Sequence, residues 1–284
     1  MKSMRKFLAI VLILVMALAL SACGNSDGDE SKTKVNNSDL PLSGEHFVIA
    51  VNAENAPMES VDPSGEYVGF SVDLADALAE KLGFTYEWND MEFFGLISSI
   101  QEGKADMILS SISATEERRE KVDFSDAYFT SVYCIISGED SGIETIADLK
   151  GKKVGAATGT LFEKYAQSIE GVDYVSFDST VPAIEIIGTK ELDAIIESSS
   201  YGERYAAGKN LKVSVIPKKT IDSSGAFGDE GLPGYSIAFP KGSDETVALF
   251  NEAIAELEEE GFLDGLRRNY LGDDYYEKYG EFIK

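Results

Sequence analysis

The feature that most constrains this chain is a change of apolar period that recurs twice in the same order. Phe47-Val48-Ile49-Ala50-Val51 is an apolar run of strand length. Over residues 70–82, Phe70, Leu74, Ala77, Leu78 and Leu82 then repeat at helical spacing and stop at Gly83. A strand at 85–88, a helix at 94–101 closed by Gly103, and a strand at 106–110 complete the unit. The order restarts with a strand at 153–157, a helix at 161–168, a strand at 173–176, a helix at 181–188 and a strand at 193–197. A helix at 244–261 and an amphipathic piece at 262–271 close the chain. Strand–helix–strand alternation demands parallel pairing through right-handed crossovers. Two such units predict an α/β fold with two lobes, each a mostly parallel sheet flanked by helices, and a ligand cleft between the lobes.

Ahead of this body stand Lys2, Arg5 and Lys6, an unbroken apolar run over 7–20, and then Leu20-Ser21-Ala22-Cys23. The run is too short to cross a bilayer, and its basic entry and small-residue exit are those of a secretory leader. Leu-Ser-Ala-Cys resembles the lipobox of bacterial lipoproteins. That resemblance implies cleavage before Cys23 and a lipid on its sulfur, holding the protein at the outer face of the cell membrane. Residues 1–22 are thus expected as signal peptide, and the polar stretch 23–43 as a flexible tether. The first lobe then covers 44–132, the second 133–231, and 232–284 returns to the first.

Charge narrows the partners. Twenty-five basic residues face 50 acidic ones, and losing the leader makes the balance more negative still. Such a surface repels phosphate backbones, so nucleic acid is excluded as a partner. Cysteine is confined to Cys23 and Cys134, and the single histidine is His46. No disulfide framework and no Cys/His metal spacing exist, so neither metal nor cofactor is expected. Cys134, inside Tyr133-Cys134-Ile135-Ile136, reads as a buried thiol.

Several short motifs carry more. They are Gly69-Phe70-Ser71-Val72-Asp73-Leu74, Gly103-Lys104-Ala105-Asp106, and Ser111-Ile112-Ser113-Ala114-Thr115-Glu116-Glu117-Arg118, followed by Val122-Asp123-Phe124-Ser125. Leu149-Lys150-Gly151-Lys152-Lys153-Val154-Gly155, Gly159-Thr160 and Leu192-Asp193-Ala194 follow. In this order and spacing the chain resembles the polar amino acid binding proteins of bacterial ABC importers, solute-binding family 3. Ser71 stands where the first motif usually has an acid, a change expected to matter only at a helix terminus.

Chemistry points the same way. The segment after strand 106–110 leaves the carboxyl end of a parallel sheet, where such folds bind ligands. Arg118 offers a planar fork matched to a carboxylate, and Ser111 and Ser113 offer hydroxyls and carbonyls. Taken alone, Thr115 to Arg118 could equally cap and start a helix with Arg118 in solvent. The resemblance implies that Ser111, Ser113 and Arg118 hold a ligand's carboxylate and amine. Residues 155–163 form a strand, a glycine turn and a helix start, whose free amides suit an anion. Thr158 and Thr160 add hydroxyls there. The resemblance makes Thr160 and the Leu161 backbone the second clamp.

Two departures affect the ligand. Ser198 stands where the family commonly has an aspartate for the ligand ammonium, with Glu197 just before it. Asn55 stands where an aromatic residue often covers the ligand, leaving stacking to Phe93 or Phe94. The expected function is that of a monomeric, lipid-anchored binding protein that delivers an amino acid or a close derivative to an ABC permease and performs no chemistry. The competing readings are a dehydratase on the same fold, with Glu197 as its general acid, and a sensor domain.

Overall fold

The computed structural model describes residues 39–227 and 232–279. The leader, Cys23 and the tether as far as residue 38 lie outside the described residues. Residues 39–43, expected as the end of the tether, dock on the body instead. The Leu42 amide donates to Leu82 O at 2.8 Å, and the Leu42 side chain packs on the first core.

The chain begins with β1 (His46–Val51), followed by a small antiparallel sheet of β2 (Glu54–Asn55), β3 (Glu59–Val61) and β4 (Tyr67–Val68). Next come α1 (Phe70–Leu82), β5 (Thr85–Asp90), α2 (Leu96–Gln101), β6 (Met107–Ile108), α3 (Glu116–Arg119) and β7 (Val122–Phe129). The middle of the chain holds β8 (Tyr133–Gly138), β9 (Lys153–Ala157), α4 (Leu161–Ser168), β10 (Asp173–Phe177), α5 (Thr180–Ile186), β11 (Ala194–Ser198), α6 (Ser199–Ala206) and β12 (Leu211–Val215). After α7 (Lys218–Asp222) the chain ends in β13 (Tyr235–Pro240), α8 (Asp244–Glu259), α9 (Phe262–Leu271) and α10 (Asp273–Tyr279).

Two five-stranded sheets result, ordered β5-β1-β6-β13-β7 and β10-β9-β11-β8-β12. The order is the same in both: second, first and third strands, then one antiparallel strand, then the last. The antiparallel members, β13 and β8, are the strands that arrive from the other lobe. In each lobe the first strand pairs in parallel with the second and third, His46 opposite Thr85 and Lys153 opposite Asp173. The two-lobed α/β architecture expected from the period is the one found.

Apolar runs explain the layers. Ile49, Leu74, Leu78, Met107, Ile237 and Phe250 are buried between the first sheet and its helices, and Leu149, Val154, Ala156, Ala194 and Ile196 fill the second lobe. Two motif aspartates have matching roles away from the cleft. Asp106 accepts from Val48 N and Asp193 from Lys153 N, each at 2.8 Å, closing the start of the first strand in its lobe. Gly69 is required by contact: it caps α1 at φ +134°, and a Cβ there would lie 2.4 Å from Met58 O.

The chain crosses between lobes twice, from β7 to β8 and from β12 to β13. The crossings run side by side. Tyr235 pairs with Phe129 in the first sheet, and Ile216 N donates to Tyr133 O at 2.8 Å in the second.

Candidate functional site

Where the carboxyl ends of the parallel strands of both lobes meet, side chains from both line a cavity that is partly open to solvent. On the first lobe its wall is tied together by end-of-strand bonds. Asn52 N donates to Ser110 Oγ at 2.8 Å, Ala53 N to Asp90 Oδ1 at 3.0 Å, and Asn52 Nδ2 to Met91 O at 3.1 Å. Ser111 follows with φ +49°, the one non-glycine residue in the left-handed region among the described residues. That conformation costs an L-residue about 1–2 kcal/mol. It turns the chain so that Ser111 and Ser113 both face the cavity.

Arg118 enters from α3. Thr115 does cap this helix, its Oγ1 accepting from Arg118 N at 3.2 Å, yet the Arg118 side chain turns inward to line the cavity. Nη1 donates to Ser113 O and Nη2 to Gly159 O of the second lobe, both at 2.8 Å. Two of its five donors are thus held by carbonyls, and three remain. The guanidinium also sits 5.6 Å over the Phe93 ring. Burial lowers its pKa to about 10, so it stays charged at neutral pH.

The second lobe presents the start of α4. Thr160 Oγ1 accepts from Glu163 N at 3.1 Å and donates to Ala157 O at 2.7 Å, while Gly159 N donates to the Glu163 carboxylate at 2.6 Å. The Leu161 and Phe162 amides remain at the open helix start. Facing them, Glu197 is 6 % exposed, its carboxylate accepting from Ser198 N at 2.7 Å and from Thr180 Oγ1 at 3.2 Å. Burial pushes its pKa up to about 7.

Of the residues singled out by sequence, Asn55, Phe93, Ser111, Ser113, Arg118, Thr160, Leu161 and Glu197 line the cavity. Thr158 and Ser198 do not. Thr158 Oγ1 is engaged with Ser176 Oγ and Phe177 O. Ser198 ends β11 and caps α6, accepting from Tyr201 N, so strand alternation turns Glu197 to the cavity and Ser198 away.

Other lining residues escaped the sequence reading. Tyr133 and Tyr235, the first residues of the two crossing strands, line the cavity as buried phenols with strongly raised pKa values. Tyr201 Oη is buried in the lining with no hydrogen-bond partner. Glu59, 1 % exposed, accepts from Ser71 Oγ at 2.6 Å, Ser111 Oγ at 3.0 Å and Asn55 Nδ2 at 3.0 Å. Burial raises its pKa to about 7 against the pull of these bonds. Ser71, expected to matter only at a helix terminus, is fully buried and bonds directly to this acid. The physical reason is that the α1 start is docked on the strand carrying Glu59, through Ser71 N to Met58 O at 2.8 Å.

Known proteins match this chain along most of its length. The family model for bacterial extracellular solute-binding proteins, family 3, matches residues 47–273. An arginine-binding extracellular protein of Bacillus subtilis is 32 % identical over 273 residues, covering 94 % of this chain and 98 % of its own. A probable histidine-binding protein of Campylobacter jejuni is 31 % identical, covering 94 % and 99 %. Among solved structures, an ancestral arginine-binding protein bound to arginine superposes with a TM-score of 0.70 at 30 % identity, over 80 % of this chain and 98 % of that one. This chain belongs to the bacterial extracellular solute-binding proteins, family 3.

Proposed function

We propose that the cavity holds a free α-amino acid with its carboxylate on Arg118 and the open amides of α4, and its ammonium on Glu197. The protein is the solute-binding component of an ABC importer, taking an amino acid or a close derivative between two closing lobes and passing it to a membrane permease. The observation that carries the residue assignment is the charge layout. One half-buried guanidinium, bridging Ser113 O and Gly159 O, shares the cavity with a buried carboxylate from the other lobe. A zwitterion satisfies both, and an unpaired charge in such a space is costly. Asn52, Asn55 and Phe93 are left for the side chain of the ligand. The relatives that bind arginine and histidine support one with a nitrogen-rich end.

The lobes, over 44–132 with 232–284 and over 133–231, are the bodies that close, and closure is favoured because only the shut form contacts the ligand from both sides. Binding without chemistry is supported by the relatives, which are named for the amino acids they bind. The protein acts as a monomer tethered through lipid on Cys23, as the lipobox-like Leu20-Ser21-Ala22-Cys23 supports.

Three measurements test this. A thermal-shift screen across the amino acids is expected to raise the melting temperature with a small subset only. For a ligand found in that way, Glu197→Gln keeps shape but removes charge, and calorimetry is expected to show affinity falling by about tenfold or more. Unchanged binding would assign the ammonium to another group. Full-length protein made with its leader in a bacterium is expected to partition into detergent with lipid mass on Cys23, and Cys23→Ser to abolish that mass. A wholly soluble, lipid-free wild type removes the anchor.

A further inference from the structure

We propose that Glu59 is a positioning residue that sets the hydrogen-bond polarity of the cavity wall: by taking the proton of Ser111 and one N–H of Asn55, it leaves Ser111 Oγ as an acceptor only and fixes Asn55 Oδ1 as a second acceptor, toward a cationic end of the ligand. The inference rests on the reading of this cavity as an amino acid site.

The argument is one of hydrogen-bond direction. An ionised carboxylate only accepts, so each partner of Glu59 must donate to it. Ser111 Oγ–H therefore points at Glu59 Oε2, which leaves Oγ only lone pairs to offer the cavity that Ser111 lines and the Tyr128 phenol beside it. Asn55 must present Nδ2 to Glu59 Oε1, which turns Oδ1 to the opposite side of the amide. Ser71 Oγ supplies a third donor from a position outside the cavity lining. One lining residue able to donate or accept, Ser111, is thereby made an acceptor only, while Asn55 keeps its second N–H and has its Oδ1 acceptor fixed in place. Such a wall pairs with the N–H groups of a guanidinium or ammonium and opposes a carbonyl oxygen at the same place. Protonated Glu59 would reverse the pattern, donating to one serine and freeing a hydroxyl hydrogen to face the ligand.

The groups facing Glu59 are Ser71 from α1, Asn55 from β2, Ser111 after β6, and the phenols of Tyr128 from β7 and Tyr235 from β13. Both phenols are pushed up by burial and stay neutral. The other charged groups lining the cavity are the half-buried Arg118, the buried Glu197 and the exposed carboxylates of Glu54 and Asp178. With Glu59 near 7, protons compete with a cationic ligand as pH falls, so affinity decreases below neutrality. Among the bonds to Glu59, that from Ser71 lowers its pKa most.

The test uses L-arginine and its neutral near-isostere L-citrulline, with dissociation constants measured calorimetrically. Wild type is expected to prefer arginine by about a hundredfold, and folded Glu59→Gln to shrink that ratio by about tenfold, since glutamine donates where glutamate accepts. Ser71→Ala is the second variant, remote from the ligand. Its loss of arginine affinity on acidification is expected to set in at higher pH than in wild type. Glu197 also titrates near neutrality, but it is common to both proteins, so the displacement belongs to Glu59. An unchanged ratio in Glu59→Gln, a wild type indifferent to the two probes, or superimposable pH profiles for Ser71→Ala overturns the inference. A wild type that binds no amino acid at all overturns the reading of the cavity beneath it, which is a separate and visible result.

Discussion

Arg118→Ala is expected to weaken amino acid binding by about two to three orders of magnitude and to leave the melting temperature of the empty protein nearly unchanged. Removing one member of a buried charge pair strands the other, at a cost of about 3–5 kcal/mol. Each 1.4 kcal/mol is about a factor of ten in affinity. Within the protein itself the side chain gives two bonds to carbonyls, Ser113 O and Gly159 O, and makes no ion pair among the described residues. The loss therefore falls on binding. Arg118→Lys should recover little, because a point charge on a flexible stem cannot hold two carbonyls and a carboxylate at once. Calorimetric titration checks both. Affinities within threefold of wild type would move the carboxylate to another part of the cavity.

The second large effect is on stability. Gly69→Ala introduces a Cβ 2.4 Å from Met58 O, 2.8 Å from Met58 C and 3.0 Å from Pro57 O, all backbone atoms, at a φ of +134°. No rotamer relieves contacts with backbone. Strain of about 1–3 kcal/mol for the dihedral and a similar amount for overpacking predict a combined loss of about 3–4 kcal/mol. For a body of this size, that is a fall of about 6–16 °C in melting temperature. The clash also pushes the strand carrying Glu59 away from Ser71, so binding should weaken along with stability. Scanning calorimetry of the empty protein checks the first part, and a change below 2 °C contradicts it.

Legibility varied with the length and the closure of each signal. The sequence bounds of α1, α4, α9 and β9 match the structure residue for residue, because each has a sustained period and a glycine or motif residue at its ends. Strands β2, β3 and β4 have two or three residues each and no period to read. Glu59 was hidden for the same reason and for another: its partners lie 4, 12 and 52 residues away, and only the fold brings them together. Tyr133 heads an apolar run that is buried as such runs are, and nothing local says that its ring also lines a cavity. Thr158 and Ser198 sit beside cavity residues in sequence, but the Thr158 hydroxyl is taken by Ser176 and Phe177 of the neighbouring strand, and Ser198 is turned away by strand alternation. Glu197 and Ser198 are the clearest instance, one position apart and on opposite sides of the same strand end.

The two crossings between lobes lie against each other, Phe129 beside Tyr235 and Tyr133 beside Ile216. Two fastenings on one line make a door, not a ball joint. Twisting and sliding would have to break one pair of bonds to spare the other, whereas swinging about the line through both spares each of them. Tyr133 and Tyr235 stand at the heads of the two crossing strands, and the bond from Arg118 to Gly159 joins one leaf to the other in this structure. If the lobes close as proposed, a single distance measured between one label on each leaf is expected to follow the motion.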